Sequence, residues 1–183
     1  MSLLEARDCR HDDDRRDSLR TNVNIGVTTI NLPDVALTVR KELLDSGKEL
    51  TPENYEARFW DVLDERLELC HEVQRIRAQR LSQTKAEVAP ILWVDGALAR
   101  LDPEDTLDKL VHHGYATSSI GYVGLYECVK VVTGESQSQP NGNKFGKRVM
   151  QHLNDMCNKW KADEDIAYSV YGTPMWIQWG LAA

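Results

Sequence analysis

The amino-acid sequence predicts an α/β fold in which a few strands alternate with amphipathic helices. A strand is indicated by residues 24–33, NIGVTTINLP, which are rich in β-branched side chains and end in a proline. A long helix is indicated by residues 51–84, where apolar side chains recur three or four positions apart. Because further segments alternate between these two patterns, we expect helical crossovers between the strands.

The long helix has a clear beginning. Thr51 can accept a hydrogen bond at the helix N-terminus, and Pro52 suits the first helical position because the N–H that it lacks would have no partner inside the helix. Acidic residues precede basic ones along the segment, which suits the helix dipole. The apolar face comprises Tyr55, Phe59, Leu63, Leu67, Cys70 and Val73.

The other elements are shorter and continue the alternation, with about four strands expected in total. The predicted strands after the first are residues 89–94, 116–120 and 166–171. The further predicted helices begin at the Asp102–Pro103 pair, cover residues 122–133, and run from Phe145 to Trp160. No element is predicted for residues 34–50, and residues 135–144 are predicted to be an exposed polar loop.

The composition is that of a folded protein and excludes several classes. The chain has 183 residues, of which 42% are hydrophobic and 28% charged, a length that suits one domain or a piece of a larger protein. Its 22 basic and 29 acidic residues give a net charge of −7, which argues against a binder of nucleic acids or membrane surfaces because both need a basic face. The N-terminus has no apolar signal core, and no apolar run could span a bilayer, so we expect a cytoplasmic protein.

The four cysteines do not form a metal or disulfide motif. They stand at positions 9, 70, 128 and 157, with no CxxC pair, and are expected to be reduced thiols. Cys70, Cys128 and Cys157 lie in apolar helical patterns, where cysteine usually serves as a small core residue. Cys9 alone lies in a polar, charged stretch. No metal site is predicted.

Five segments, in order, give the sequence a specific resemblance. They are residues 26–37 (GVTTINLPDVAL), 59–70 (FWDVLDERLELC), 89–93 (APILW), 114–129 (GYATSSIGYVGLYECV) and 150–174 (MQHLNDMCNKWKADEDIAYSVYGTP). Together they resemble the catalytic subunit of the anaerobic ribonucleoside-triphosphate reductases, the class III ribonucleotide reductases. The resemblance covers residues 22–174.

The resemblance implies a partial barrel of the ribonucleotide reductase and glycyl-radical enzyme type. Residues 22–174 would form part of that barrel, residues 1–21 a charged N-terminal segment, and residues 175–183 a tail unlike the family. The implied reaction reduces ribonucleoside triphosphates to deoxyribonucleoside triphosphates by thiyl-radical chemistry. The thiyl must be held rigidly near the sugar, because positioning supplies much of the rate.

The catalytic residues implied by the resemblance are Cys9 and Asn24. Cys9, followed by Arg10, matches the family's radical cysteine; a surface cysteine in a divergent N-terminus is the alternative. Asn24 matches an Asn-x-Gly pattern at a strand start, where an amide, which both donates and accepts, suits a pair of neighbouring hydroxyls. Capping of the strand end is the alternative for Asn24.

Substrate-binding residues are also implied. Thr173 and Pro174 match the opening of a loop that faces the substrate phosphates in the family, where backbone N–H groups would bind an anion. Gly121 and Gly124, in GYVG, could cradle a phosphate at a helix N-terminus, although close helix packing explains both glycines as well.

Partners and cofactors follow from the same resemblance. No cofactor is evident in this chain; the family's glycyl radical, structural zinc and ATP or dATP effectors belong to regions outside it. The implied partners are a ribonucleoside triphosphate, a second copy of the subunit and a radical-SAM activating enzyme, with no nucleic acid and no membrane. We therefore expect a fragment that is inactive in isolation. The alternative is a non-catalytic α/β module that at most binds a nucleotide.

Overall fold

Three parallel strands, β1 (Val23–Asn31), β2 (Ala116–Val123) and β3 (Ala167–Gly172), form one sheet in the order β1–β2–β3. The computed structural model describes residues 23–112 and 115–172. Segments 1–21 and 175–183, for which the sequence analysis made separate predictions, lie outside these residues.

Helices connect the strands, as parallel pairing requires. The first crossover contains α1 (Leu32–Asp45), α2 (Pro52–Ser82), α3 (Pro90–Trp93) and α4 (Asp108–Val111). The second contains α5 (Leu125–Thr133) and α6 (Pro140–Glu164). The predicted α/β class is confirmed; in the described residues the sheet is open and not a closed barrel.

The helices bury one face of the sheet. A single apolar core joins side chains of α1, α2, α5 and α6 to Ile30, Ile120 and Tyr168 of the three strands. Phe59 of α2 is fully buried and packs edge-on against Phe145 of α6, with ring centroids 5.2 Å apart. The predicted apolar face of α2 is the one that it presents to the core from Tyr55 to Cys70, whereas Val73, also predicted to belong to it, is 46% exposed.

Two helix starts confirm the role of prolines in the first turn. The Thr51 hydroxyl accepts a hydrogen bond from the Asn54 N–H at 3.3 Å, as predicted for the beginning of α2. At α1 the Asn31 side chain accepts from the Asp34 N–H at 3.3 Å. Because Pro33 lies in the first turn of this helix, β1 passes into α1 without a loop.

Helix α1 was not predicted from the sequence. Its buried residues follow a helical period: Leu32, Val35, Ala36, Val39 and Leu43. This pattern was present in the sequence, but Pro33 was interpreted as the end of the preceding strand. A proline can also occupy the first turn of a helix, where its missing N–H costs nothing.

The strand predicted for residues 89–94 is wrong. This segment follows a 3-10 turn at Ala86–Val88 and forms the short helix α3, in which the Val94 N–H donates to the Pro90 carbonyl at 2.8 Å. Ile91 is 72% exposed, so the segment is not buried either. A short apolar run does not by itself distinguish a strand from a helical turn. The described residues thus contain three strands, where about four were expected.

Three predicted boundaries also need correction. The helix expected from Asp102 begins at Asp108, because the Asp102 carbonyl accepts from the Asp105 N–H and closes a turn first. Tyr122 belongs to β2, and α5 begins only after Gly124. The loop predicted for residues 135–144 ends at Gln139, since Pro140 starts α6.

No helix in the described ranges combines the length and the apolar character needed to cross a bilayer.

The buried thiols give a testable prediction. Burial raises the pKa of Cys128 to about 12 and that of Cys157 to about 11, and only the thiolate is nucleophilic. Iodoacetamide at pH 8 should therefore leave both cysteines unmodified in the native chain and modify them in urea, as measured by peptide mass spectrometry.

The same pKa values predict how stability depends on pH. In the unfolded chain these thiols ionise near pH 9, whereas in the folded chain they stay protonated to about pH 11 or 12. The unfolded state then binds fewer protons, so the free energy of unfolding should fall as the pH rises above 9. Rapid alkylation of Cys128 in the native state would contradict both its burial and its raised pKa.

Candidate functional site

The sheet face opposite the helices, here called the open face, carries small and polar side chains. Side chains alternate between the two faces of a strand. Gly26, Thr28 and Ile30 of β1 lie on the helix side, as do Ser118 and Ile120 of β2. The open face comprises Asn24, Val27, Thr29, Thr117, Ser119, Gly121, Ala167, Ser169 and Tyr171.

The structure leaves much of the open face accessible. Val27 is 41% and Tyr171 43% exposed, and Asn24 and Thr29 are also exposed. All of its side chains are uncharged at neutral pH. This face can bind hydroxyl and amide groups by hydrogen bonding, but its side chains offer no ordinary general base.

One side chain from each strand forms a row across the open face, here called the amide–hydroxyl row: Asn24, Ser119 and Ser169. Asn24 Nδ2 donates to Ser119 Oγ at 2.7 Å. The Ser119 and Ser169 hydroxyl oxygens lie 3.0 Å apart, as their pairing in the β2–β3 register requires. Asn24 is exposed, Ser169 is half-buried and Ser119 is 2% exposed, so the Asn24 amide is the part of the row most accessible to a ligand.

A β-bulge places Asn24 on the open face. Asn24 pairs with Thr117 and Gly26 with Ser118, so Ile25 is an extra residue in β1. In a regular strand Asn24 would lie on the same side as Gly26, towards the helices. With the bulge, Ile25 packs against the core instead, and Asn24 faces outward next to Ser119.

The Asn24 side chain is held at both ends. Its Oδ1 accepts from the Gly26 N–H at 2.8 Å, while its Nδ2 donates to Ser119. One N–H and one lone pair of the amide stay available to a ligand. Asn24 thus caps the end of the strand, which was the alternative role, and its amide is exposed at the same time.

Gly121 lies in the middle of β2 on the open face, two residues from Ser119. A Cβ at this position would lie 2.6 Å from Thr29 Oγ1, so the neighbouring strand leaves room only for glycine. Helix α5 begins four residues later, after Gly124, which has a φ of 73° and a position where a Cβ would overlap Pro33. Gly124, and not Gly121, thus stands at the helix N-terminus.

Three predicted site residues lie outside the described residues: Cys9, Thr173 and Pro174. The last described residue before Thr173 is Gly172, the end of β3. Asn31, Val123 and Gly172 end the three parallel strands at one edge of the sheet. Helices α1 and α5 begin at this same edge.

Two members of the amide–hydroxyl row, Ser119 and Ser169, were not predicted from the sequence. The signal for Ser119 was available, because in ATSSIGYV it has the same parity as Gly121, which was singled out. Ser169 could be found only once the β2–β3 register was known. As for metals, residues 23–112 and 115–172 contain no group of three His, Cys, Asp or Glu side chains that could hold an ion.

Replacement of Ser119 tests the amide–hydroxyl row. Ser119→Ala removes the acceptor of Asn24 and the partner of Ser169, and it should lower the free energy of unfolding by about 1–2 kcal/mol. Urea denaturation followed by circular dichroism measures the change. Ser138→Ala, at an exposed site, is the control and should change stability by less than about 0.5 kcal/mol. Equal effects of the two substitutions would contradict a structural role for the row.

Comparison with known proteins places the chain in a family. The sequence profile described as anaerobic ribonucleoside-triphosphate reductase matches residues 4–175. The anaerobic ribonucleoside-triphosphate reductase of Escherichia coli (strain K12) is 32% identical over 154 residues, which cover 82% of this chain and 20% of that protein. The enzyme of the same name from Enterobacteria phage T4 is 33% identical over 152 residues, covering 82% of this chain and 22% of that protein.

The chain spans about a fifth of the length of the curated relatives that it matches. The region that the family profile matches, residues 4–175, nevertheless includes all the strands and helices described above. The chain belongs to the anaerobic ribonucleoside-triphosphate reductase family.

Proposed function

We propose that this chain forms one wall of the catalytic barrel of an anaerobic ribonucleoside-triphosphate reductase, and that its open face contacts the ribose of the substrate. The amide–hydroxyl row carries this proposal. In an α/β barrel the helices lie outside and the other face of the sheet lines the interior. A parallel sheet with its helices on one face and, on the other, a polar row whose Asn24 end is exposed suits such a wall.

The chemistry of the row suits a ribose. The sugar presents neighbouring hydroxyl groups, each of which donates and accepts one or more hydrogen bonds. Asn24 offers both functions; Ser119 is hydrogen-bonded to it, and Ser169 follows Ser119 along the row. Because Asn24 is anchored by the Gly26 N–H and by Ser119, little side-chain freedom would be lost on binding.

The edge at which the strands end suits the triphosphate. Helices α1 and α5 begin there, and N–H groups in the first turn of a helix favour anions. Thr173 and Pro174 come directly after β3 in the sequence, and we assign them to phosphate binding on the basis of the family resemblance. Gly121 lies between this edge and Ser119. Because it has no side chain, it leaves space above the sheet where the sugar would lie.

Cys9 is the proposed radical residue. Its sulfur radical would take the hydrogen atom from the ribose C3′, which breaks the C–H bond and forms an S–H bond. The 2′-hydroxyl, with a proton, would then leave as water, and two electrons and a proton would reduce C2′; they come from formate, which becomes CO2, or from two thiols, which become a disulfide. The S–H group would return its hydrogen atom to C3′, which regenerates the thiyl. Cys9 would receive the oxidising equivalent from a glycyl radical in another part of the enzyme, as the family resemblance implies. Asn24, Ser119 and Ser169 would hold the sugar in place for this step.

A chimeric enzyme tests the proposal. Residues 4–175 would replace the matching segment of the Escherichia coli relative, and deoxynucleotide formation would be measured anaerobically with formate and the activating enzyme. We expect turnover by the chimera and none after Cys9→Ser. Asn24→Ala should lower kcat/KM by about tenfold, the effect of losing about 1.4 kcal/mol of hydrogen bonding to the sugar.

Cys70→Ser is the matched control for the radical cysteine, because Cys70 is a half-buried thiol of α2 on the helix side. It should leave the chimera active. Turnover that survives Cys9→Ser would overturn the assignment of the thiyl. A correctly folded chimera that binds the nucleotide but never reduces it would favour the non-catalytic nucleotide-binding module instead.

A further inference from the structure

Helix α2 carries a completely buried amide beneath the bulge of β1. Gln74 is 0% exposed and lies on the helix side of the sheet, opposite the amide–hydroxyl row. A buried amide is costly unless its hydrogen bonds are made. Since the rest of this helix face is largely apolar, a leucine or methionine would fill the same volume without that cost.

The Gln74 side chain ties α2 to two strands at once. Its Nε2 donates to Thr28 Oγ1 at 2.7 Å and to the Ser119 carbonyl at 3.2 Å, with the Gly26 carbonyl 3.4 Å away. Its Oε1 accepts from Ser118 Oγ at 2.7 Å. One side chain thus bonds to residues on both sides of the β1–β2 pairing.

These contacts reach Ser119 directly and Asn24 only through its neighbours in β1. Gln74 Nε2 bonds to Thr28 of β1 and lies 3.4 Å from the Gly26 carbonyl. The Gly26 N–H is in turn the donor to Asn24 Oδ1. Ser119 is held by Gln74 through its carbonyl and by Asn24 through its hydroxyl. A shift of the bulge relative to β2 would break both sets of bonds together.

Arg77, one turn further along α2, covers the helix side of the bulge. Its Nη1 donates to Gln74 Oε1 at 3.3 Å, and its guanidinium occupies the space where a Cβ of Gly26 would lie. Any side chain at position 26 would displace it. The bulge is therefore held by Gln74 and covered by Arg77.

We propose that Gln74 is a positioning residue, which sets the place of Asn24 and Ser119 on the open face from the opposite side of the sheet. The inference rests on the proposed function in that the positioned groups are those assigned to the ribose. Gln74 itself does not touch the substrate. Its effect passes through the bulge at Gly26 and the Ser119 backbone.

Nuclear magnetic resonance of the full, ¹⁵N-labelled chain tests this proposal without requiring turnover. Gln74→Met keeps the length of the side chain and removes the amide. We expect the Gly26 amide hydrogen to exchange about tenfold faster and the side-chain NH2 signals of Asn24 to move towards those of solvent-exposed asparagines. Ser118→Ala, which removes only one of the bonds to Gln74, should move the same signals in the same direction but less.

Val62→Ala is the matched control, because Val62 is a buried residue of α2 outside this network. It should lower the free energy of unfolding without moving the Asn24 or Gly26 signals. Equal movement in Val62→Ala and Gln74→Met would overturn the proposal, as would unchanged Asn24 signals in Gln74→Met. If Gln74→Met does not fold, Ser118→Ala decides, and unchanged signals there count against the proposal.

The chimeric enzyme separates this inference from the proposed function. Gln74→Met should lower its kcat/KM by about as much as Asn24→Ala, and the double variant should be no worse than either alone. If Asn24→Ala has no effect on turnover while Gln74→Met moves the Asn24 signals, the ribose assignment fails and the positioning role stands. If turnover depends on Asn24 but not on Gln74, the positioning role fails.

Discussion

The burial of a single sheet face is the constraint on which this structure depends. Parallel strands need crossovers, and here α1, α2, α5 and α6 all contribute to one core against the same side. Most of the large apolar side chains of the strands lie on that side, with Val27 and Tyr171 as exceptions. The side chains at the alternate positions, which face away from the core, can therefore be small, polar and uncharged. The amide–hydroxyl row consists of three of them.

The elements that sequence reasoning found are those whose local pattern agrees with their tertiary environment. Helix α2 has a capping threonine, a proline in its first turn and a long apolar period. Each of these local signals has in the structure the role that it indicates in the sequence. The segment from residue 89 to 94 is different, because an apolar run of that length fits a buried strand and a short helix equally well. Its environment, a small second core around Ala86 and Leu107, decides the outcome and is invisible in the local sequence.

The candidate site was only partly predictable for a related reason. Asn24 was found through the family resemblance, and its residue type suits its environment. Ser119 and Ser169 are ordinary strand residues in the sequence, and only the register of β2 with β3 brings them together. Gln74 gave no signal at all, since a glutamine in a helix is normally solvated. Its significance comes from complete burial opposite a bulge.

The extra residue at Ile25 couples the register of β1 to the anchoring of Asn24. Deletion of Ile25 would leave a regular strand in which the asparagine is adjacent to Gly26 and, because side chains alternate, still lies on the open face. The deletion would, however, remove the spacing at which Asn24 Oδ1 accepts from the N–H two residues further on, together with the side chain that Ile25 packs against the core. A shorter strand start should therefore free the amide without reversing its direction.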